Sequence, residues 1–133
     1  MTVGVRVLAE NPDGDVLLVR HTYVPGWYFP GGGVETGEHA LQAVQKELHE
    51  ETGLSADDGY ELLGVFWNKQ ASKRDHVLFY RCKTSGNISN FTPNSEIAEI
   101  GFFSQGNIPA DTTKATLRRL DEVYQGREQS TYW

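Results

Sequence analysis

Residues 38–52, "EHALQAVQKELHEET", contain neither Gly nor Pro and lie between Gly37 and Gly53. Leu41, Val44 and Leu48 recur within them at i, i+3 and i+7, an apolar stripe of helical period. Such a helix must lay its stripe against another apolar surface, so it dictates a layered domain rather than an extended chain. Thr36 or Gly37 is placed to cap its start, Glu38 suits the positive end of the helix dipole, and Gly53 can end it in the left-handed conformation.

The flanking segments read as strands. Val3, Val5 and Val7 alternate, and the turn-forming "NPDGD" leads into "VLLVR", which together predict a hairpin. "HTYVPGWYFPGGG" is too rich in Gly and Pro for a helix and reads as a loop with a short extended piece at Trp27 to Phe29. Beyond the helix, "YELLGVFWN" and "DHVLFYRCK" are joined by the polar turn "KQASKR", and "EIAEIGFF" follows as a third strand. A last helix, "DTTKATLRRLDEVYQG", is expected to begin at Asp111 or Thr112 and to stop near Gly126. The tail "REQSTYW" is either docked or frayed. With 133 residues, 38% of them hydrophobic, the expectation is one α/β domain spanning 1–133, an α/β/α sandwich with a mixed sheet between helices.

The single cysteine, Cys82, excludes an internal disulfide, and its strand surroundings predict a structural thiol. No apolar run approaches the roughly 20 residues of a membrane span and the first residues lack a signal-peptide layout, so the expected location is cytoplasmic, away from membranes. A net charge of −6 with Lys and Arg scattered, apart from Lys73-Arg74 and Arg118-Arg119, argues against long nucleic acid. A small anionic molecule remains a suitable partner where bound metal supplies the positive charge. A monomer and a homodimer are equally compatible with the sequence.

Glu47, Glu50 and Glu51 fall within an arc of about 100° on the helix. Two unit charges 4 Å apart at an effective dielectric of 20 repel by about 4 kcal/mol, so crowding them is unfavourable unless a cation sits among them. Upstream, Gly31, Gly32 and Gly33 allow backbone to approach a ligand closely, at what would be the anion-favouring mouth of the helix. Hard-ion ligands beside phosphate-compatible backbone describe a site for a metal-bridged polyphosphate.

The run Gly32-x5-Glu38-x7-Lys46-Glu47-Leu48-x-Glu50-Glu51-x-Gly53-Leu54 resembles the Nudix box, G-x5-E-x7-R-E-U-x-E-E-x-G-U with U a bulky aliphatic residue. Eight of the nine specified positions match over 23 residues, and "GWYFPGG" and "EIAEIGFF" are also similar to the family. The resemblance implies a pyrophosphohydrolase that cleaves a nucleoside diphosphate linked to another moiety, with Mg²⁺ or Mn²⁺ as cofactor and water attacking phosphorus. By position it implies Glu47, Glu50, Glu51 and the Gly31 carbonyl as metal ligands, and Glu47 or Glu50 as catalytic carboxylates. Gly32, Gly33 and Glu38 would lie beside the substrate. A later loop often contributes a further carboxylate, for which Glu96 is the first candidate and Glu99 the second.

Lys46 stands where the box has Arg, a mobile point charge in place of a planar fork. Either Lys46 still pairs with Glu47 and supports catalysis, or the brace is loose and the chain is a nucleotide sensor that no longer hydrolyses. A diphosphate isoprenoid isomerase, known on this fold, would require Cys82 at the site. The region "WNKQASKRD" lacks the proline or tyrosine that marks the ADP-ribose and dinucleoside polyphosphate subtypes. Arg20 and His21 are the expected phosphate contacts. His39, His49 and His76 lack metal-ligand spacing. Trp27, Tyr28, Phe66 and Trp67 are either core residues or base-stacking ones.

Overall fold

The computed structural model describes residues 1–133. In chain order it contains β1 (Thr2–Glu10), β2 (Val16–His21), β3 (Trp27–Tyr28), β4 (Gly31–Gly33), α1 (Ala40–Thr52), β5 (Glu61–Trp67), β6 (Asp75–Lys83), β7 (Ile97–Phe103) and α2 (Lys114–Tyr124). The strands form one mixed sheet with the central order β3-β2-β1-β6-β5, β4 pairing with β1 and β7 with β2. β1 is its hub. It runs parallel to β6 from Thr2 opposite Asp75 to Glu10 opposite Lys83. Its other edge is antiparallel to β4 at Gly4 to Arg6 and to β2 at Glu10.

Alternation along these strands sends neighbours to opposite faces. Val5, Val7, Ala9, Leu17, Tyr80 and Cys82 pack with Ala43, Val44 and Leu48 of α1. Leu8, Val16, Leu18, Phe29, Phe66 and Phe79 gather on the other side with Trp27 and Leu120 of α2. Each fully buried aliphatic or aromatic side chain contributes roughly 1.5–3 kcal/mol, so the two clusters clamp the sheet between the helices. The expected two-faced mixed sheet is thus present.

Details differ from the sequence expectation. α1 begins at Ala40, later than Glu38, because His39 is the N-cap: its ring accepts from the Gln42 amide while the Gln42 side chain accepts from the His39 amide. Thr36 and Gly37 lie before it. Leu41 is 40% exposed, and Ala43 takes the buried position beside Val44. Gly53 does close the helix, at φ 78°. α2 starts at Lys114, later than Asp111 or Thr112, because Thr113 is its N-cap, whose hydroxyl accepts from the Thr116 amide. The glycine run read as loop is strand β4. Arg119, the second residue of the Arg118-Arg119 pair, is fully buried.

The tail is docked. The Trp67 amide donates to the Thr131 carbonyl and the Trp133 amide to the Trp67 carbonyl, at 2.8 and 3.0 Å. The Trp133 ring lies 5.6 Å from both Phe66 and Phe79, edge-on.

Candidate active site

The acidic end of α1 rests on β4. Glu51 falls one turn after Leu48, so the stripe that buries Leu48 also buries Glu51, at 7% exposure. Its carboxylate accepts from the Gly31 amide at 3.1 Å. Glu47, one turn earlier and half-buried, sits so close over Gly32 that a Cβ there would lie 2.8 Å from its carboxyl carbon. Gly31 is needed for a different contact: a Cβ would lie 2.0 Å from the Val5 carbonyl and 2.7 Å from Arg6 Cδ. Glu50 is exposed. The glycines therefore face the C-terminal half of α1, not its N-terminal mouth, and the helix dipole offers no positive end to an anion here.

Burial and mutual repulsion act together on these acids. Burial, the larger cause, and the charges of Glu47 and Glu96 push Glu51 up to about 8, against the pull of Arg6 and the Gly31 amide. Burial and then Glu50 also raise Glu47. Such acids gain from a cation beside them, and carboxylates suit a hard divalent ion, so the donor chemistry fits Mg²⁺ or Mn²⁺. No three acidic, histidine or cysteine side chains already converge on one point suited to a metal. Side-chain adjustment of Glu47 and Glu50 toward Glu51 would have to complete a ligand set.

Glu96, in the loop entering β7, bears electrostatically on Glu47 and Glu51. Glu99 does not share that role: it is paired with Arg20 at 2.9 Å across the β2–β7 ladder. The structure therefore does not bring Arg20 to the carboxylates as a free phosphate contact. His21 is buried, ringed by Tyr23 and Tyr28 at 5.3 and 5.1 Å, with Nδ1 unpartnered. Burial and Arg6 keep it below the ordinary histidine range, hence neutral at pH 7.

Lys46 does not pair with Glu47. Its ammonium lies 3.2 Å from Glu38 and 3.7 Å from Glu35, and Glu38 also accepts from the Glu35 amide at 2.9 Å. Lys46 thus ties the turn before α1 to the helix, and Glu38 is held in that knot. Trp27 and Phe66 are core residues. His39 is a cap and His49 is exposed. Cys82 is buried in β6 within the α1-side core, and burial pushes its thiol up to about 12, so it stays a protonated core thiol, as its strand context predicts.

Arg6 escaped the sequence reading. It lies on β1 between Gly4 and Leu8 on one strand face, donates to the Phe29 carbonyl at 2.7 Å and stacks 5.5 Å from the Tyr28 ring centre. Glu51 and Glu47 are the carboxylates acting on it. A charged residue in an otherwise apolar alternation was the available signal. A cavity of about 620 Å³ opens beside it, lined also by Gly32, Gly33, Asn68, Asp75 and Trp133.

A family model described as the NUDIX domain matches residues 1–122. The chain belongs to the Nudix family. It is a Nudix hydrolase and resembles a Bacillus subtilis (strain 168) protein provisionally named an 8-oxo-dGTP diphosphatase, 30% identical over 127 residues, 96% of this chain and 83% of the relative. The MutT NUDIX hydrolase of Burkholderia pseudomallei superposes with a TM-score of 0.73 at 25% identity, covering 92% of this chain and 97% of that one. An ADP-ribose pyrophosphatase of Streptococcus suis 89-1591 gives a TM-score of 0.66 at 26% identity, covering 97% and 94%. This Nudix hydrolase contains no helix long and apolar enough to cross a membrane.

Proposed function

We propose that this pyrophosphohydrolase cleaves the diphosphate of a small nucleotide derivative, using Mg²⁺ or Mn²⁺ held by Glu47, Glu50 and Glu51 with the Gly31 carbonyl. The observation that carries the reading is the burial of Glu51 and Glu47 against Gly31 and Gly32, where their charges are unfavourable without a cation. When bound, the metal supplies neutralisation of the non-bridging phosphate oxygens and a lowered pKa for the attacking water. To Glu47, the half-buried carboxylate over Gly32, we assign the role of accepting the proton of that water. Glu96 adds negative charge from the opposite loop, and the Lys46–Glu38 knot fixes the turn that leads into α1. The substrates after which the relatives are named, an oxidised nucleoside triphosphate and ADP-ribose, share a nucleoside diphosphate. That common part is the substrate class proposed.

The test is phosphate release, through a coupled phosphatase, from nucleoside triphosphates, nucleotide sugars, ADP-ribose and dinucleoside polyphosphates, with Mg²⁺ or Mn²⁺ and with EDTA as control. Glu50→Gln and Glu51→Gln are each expected to slow turnover on the order of 10²-fold while the melting temperature is retained. Near wild-type rates in both variants, or turnover indifferent to EDTA, would overturn the reading.

A further inference from the structure

We infer that Arg6 is a substrate-binding residue: its guanidinium takes non-bridging phosphate oxygens of the nucleotide beside the Glu47–Glu51 cluster. The inference rests on the hydrolase reading and adds to it the group that recognises the anion. The site has a charge problem of its own making, because Glu47, Glu50, Glu51 and Glu96 confront a polyphosphate of the same sign. The sequence suggested Arg20 and His21 for that task, but Arg20 is committed to Glu99 and His21 is buried against Tyr23 and Tyr28. Lys46, on the helix itself, is committed to Glu38 and Glu35.

Arg6 is differently placed. It takes part in none of the protein's ion pairs, which involve Arg20, Lys46, Arg81, Arg119 and Arg127. Of its five N–H donors one is spent, on the Phe29 carbonyl. It is the one Lys or Arg side chain lining the cavity that holds Gly32 and Gly33. Its seat is rigid: β1 is paired on both edges at this residue, to Gly31 and to Phe79, and only the absence of a Cβ at Gly31 leaves room for its side chain.

A partly buried guanidinium without an ion partner is unfavourable to the fold, and burial pulls it below its ordinary range. The unused donors form a planar fork suited to phosphate oxygens. Arg6 and the Glu51 carboxylate both lie against Gly31, the one 2.7 Å from where its Cβ would be and the other accepting from its amide, and Glu47 lies over the next glycine. A diphosphate at those carboxylates therefore brings oxygens within reach of the fork.

The experiment compares wild type, Arg6→Met and Arg6→Lys on the nucleotide that wild type turns over fastest, together with their melting temperatures. Arg6→Met is expected to raise KM at least tenfold with kcat within about threefold and the melting temperature little changed. Arg6→Lys is expected to recover part of the loss, since it keeps the charge and loses the fork. An unchanged KM in folded Arg6→Met overturns the inference and leaves the hydrolase reading standing. So does a KM loss that tracks a fall in melting temperature and is equal in Arg6→Lys. Should wild type turn over nothing in the panel, the hydrolase reading fails by itself. Melting shifts produced by inorganic pyrophosphate with Mg²⁺ then decide: a wild-type shift that Arg6→Met loses supports the contact, and equal shifts, zero included, overturn it.

Discussion

Glu51 binds its proton more tightly in the folded protein than an exposed glutamate does, with a value pushed from 4.5 to about 8 by burial. Between those limits the folded state keeps a proton that the unfolded chain releases. Stability therefore falls as pH rises through that window. In EDTA the melting temperature of the wild type is expected to drop on the order of 5 °C more between pH 5 and pH 8 than that of Glu51→Gln, which has no proton to lose there. Equal pH slopes in the two proteins would show that the site is wetter than its burial implies. That Glu51 is buried while Glu50 is exposed was hidden, but the helix sector that Glu47, Glu50 and Glu51 share was legible at about 100° per residue. Their cationic neighbours were not. Strand register gives Arg20 its carboxylate and a turn gives Lys46 its own, while Arg6 reaches a carbonyl and a ring, and local spacing is silent about which group a long side chain reaches.

At the level of elements, periodicity sufficed for α1, α2 and the long strands, since each carries an alternation or a stripe that only one conformation can bury. β4 had no such signal: three glycines have no side chains to alternate, and their pairing comes from Gly4, Val5 and Arg6 across the sheet. The cap of α1 was misplaced for a related reason, His39 being an uncommon cap whose ring finds the Gln42 amide only once the turn is formed. The three glycines of β4 also separate stability from catalysis. Gly31→Ala must push β4 off β1, with a Cβ 2.0 Å from the Val5 carbonyl, and is expected to cost more than about 2 kcal/mol. Gly32→Ala meets first the carboxylate of Glu47, a movable end, so activity should fall at least tenfold with little loss of stability. Nothing lies within 4 Å of a Cβ at Gly33, and Gly33→Ala should leave stability near wild type. Urea unfolding and phosphate release on the same three variants check the order.

Across the whole molecule, the catalytic face depends on a brace on the other side of the sheet. The buried Arg119 forms a fork with Glu122 at 2.7 and 2.9 Å and donates to the Tyr132 carbonyl at 2.8 Å. Its guanidinium sits 4.1 Å from the Phe66 ring centre and 5.2 Å from that of Trp133. Glu122 in turn accepts from the Ser130 amide at 2.9 Å. One ion pair thereby holds the tail against β5, and Trp133 at the end of that tail is a wall of the cavity that contains Arg6, Gly32 and Gly33. Arg119→Met strands the Glu122 carboxylate, only 9% exposed, and is expected to cost about 3–5 kcal/mol in urea unfolding. Adding Glu122→Leu removes the stranded charge and should restore much of that stability, as apolar replacement of buried pairs commonly does. The double variant still lacks the donor to Tyr132 and the acceptor for Ser130, so the tail loses these two side-chain anchors and keeps its backbone bonds to Trp67 while the core is refilled. KM is therefore expected to stay raised after stability returns, and a double variant with wild-type KM would show that the ring contacts of Trp133 with Phe29, Phe66 and Phe79 and the backbone bonds to Trp67 keep the cavity wall in place without the ion pair.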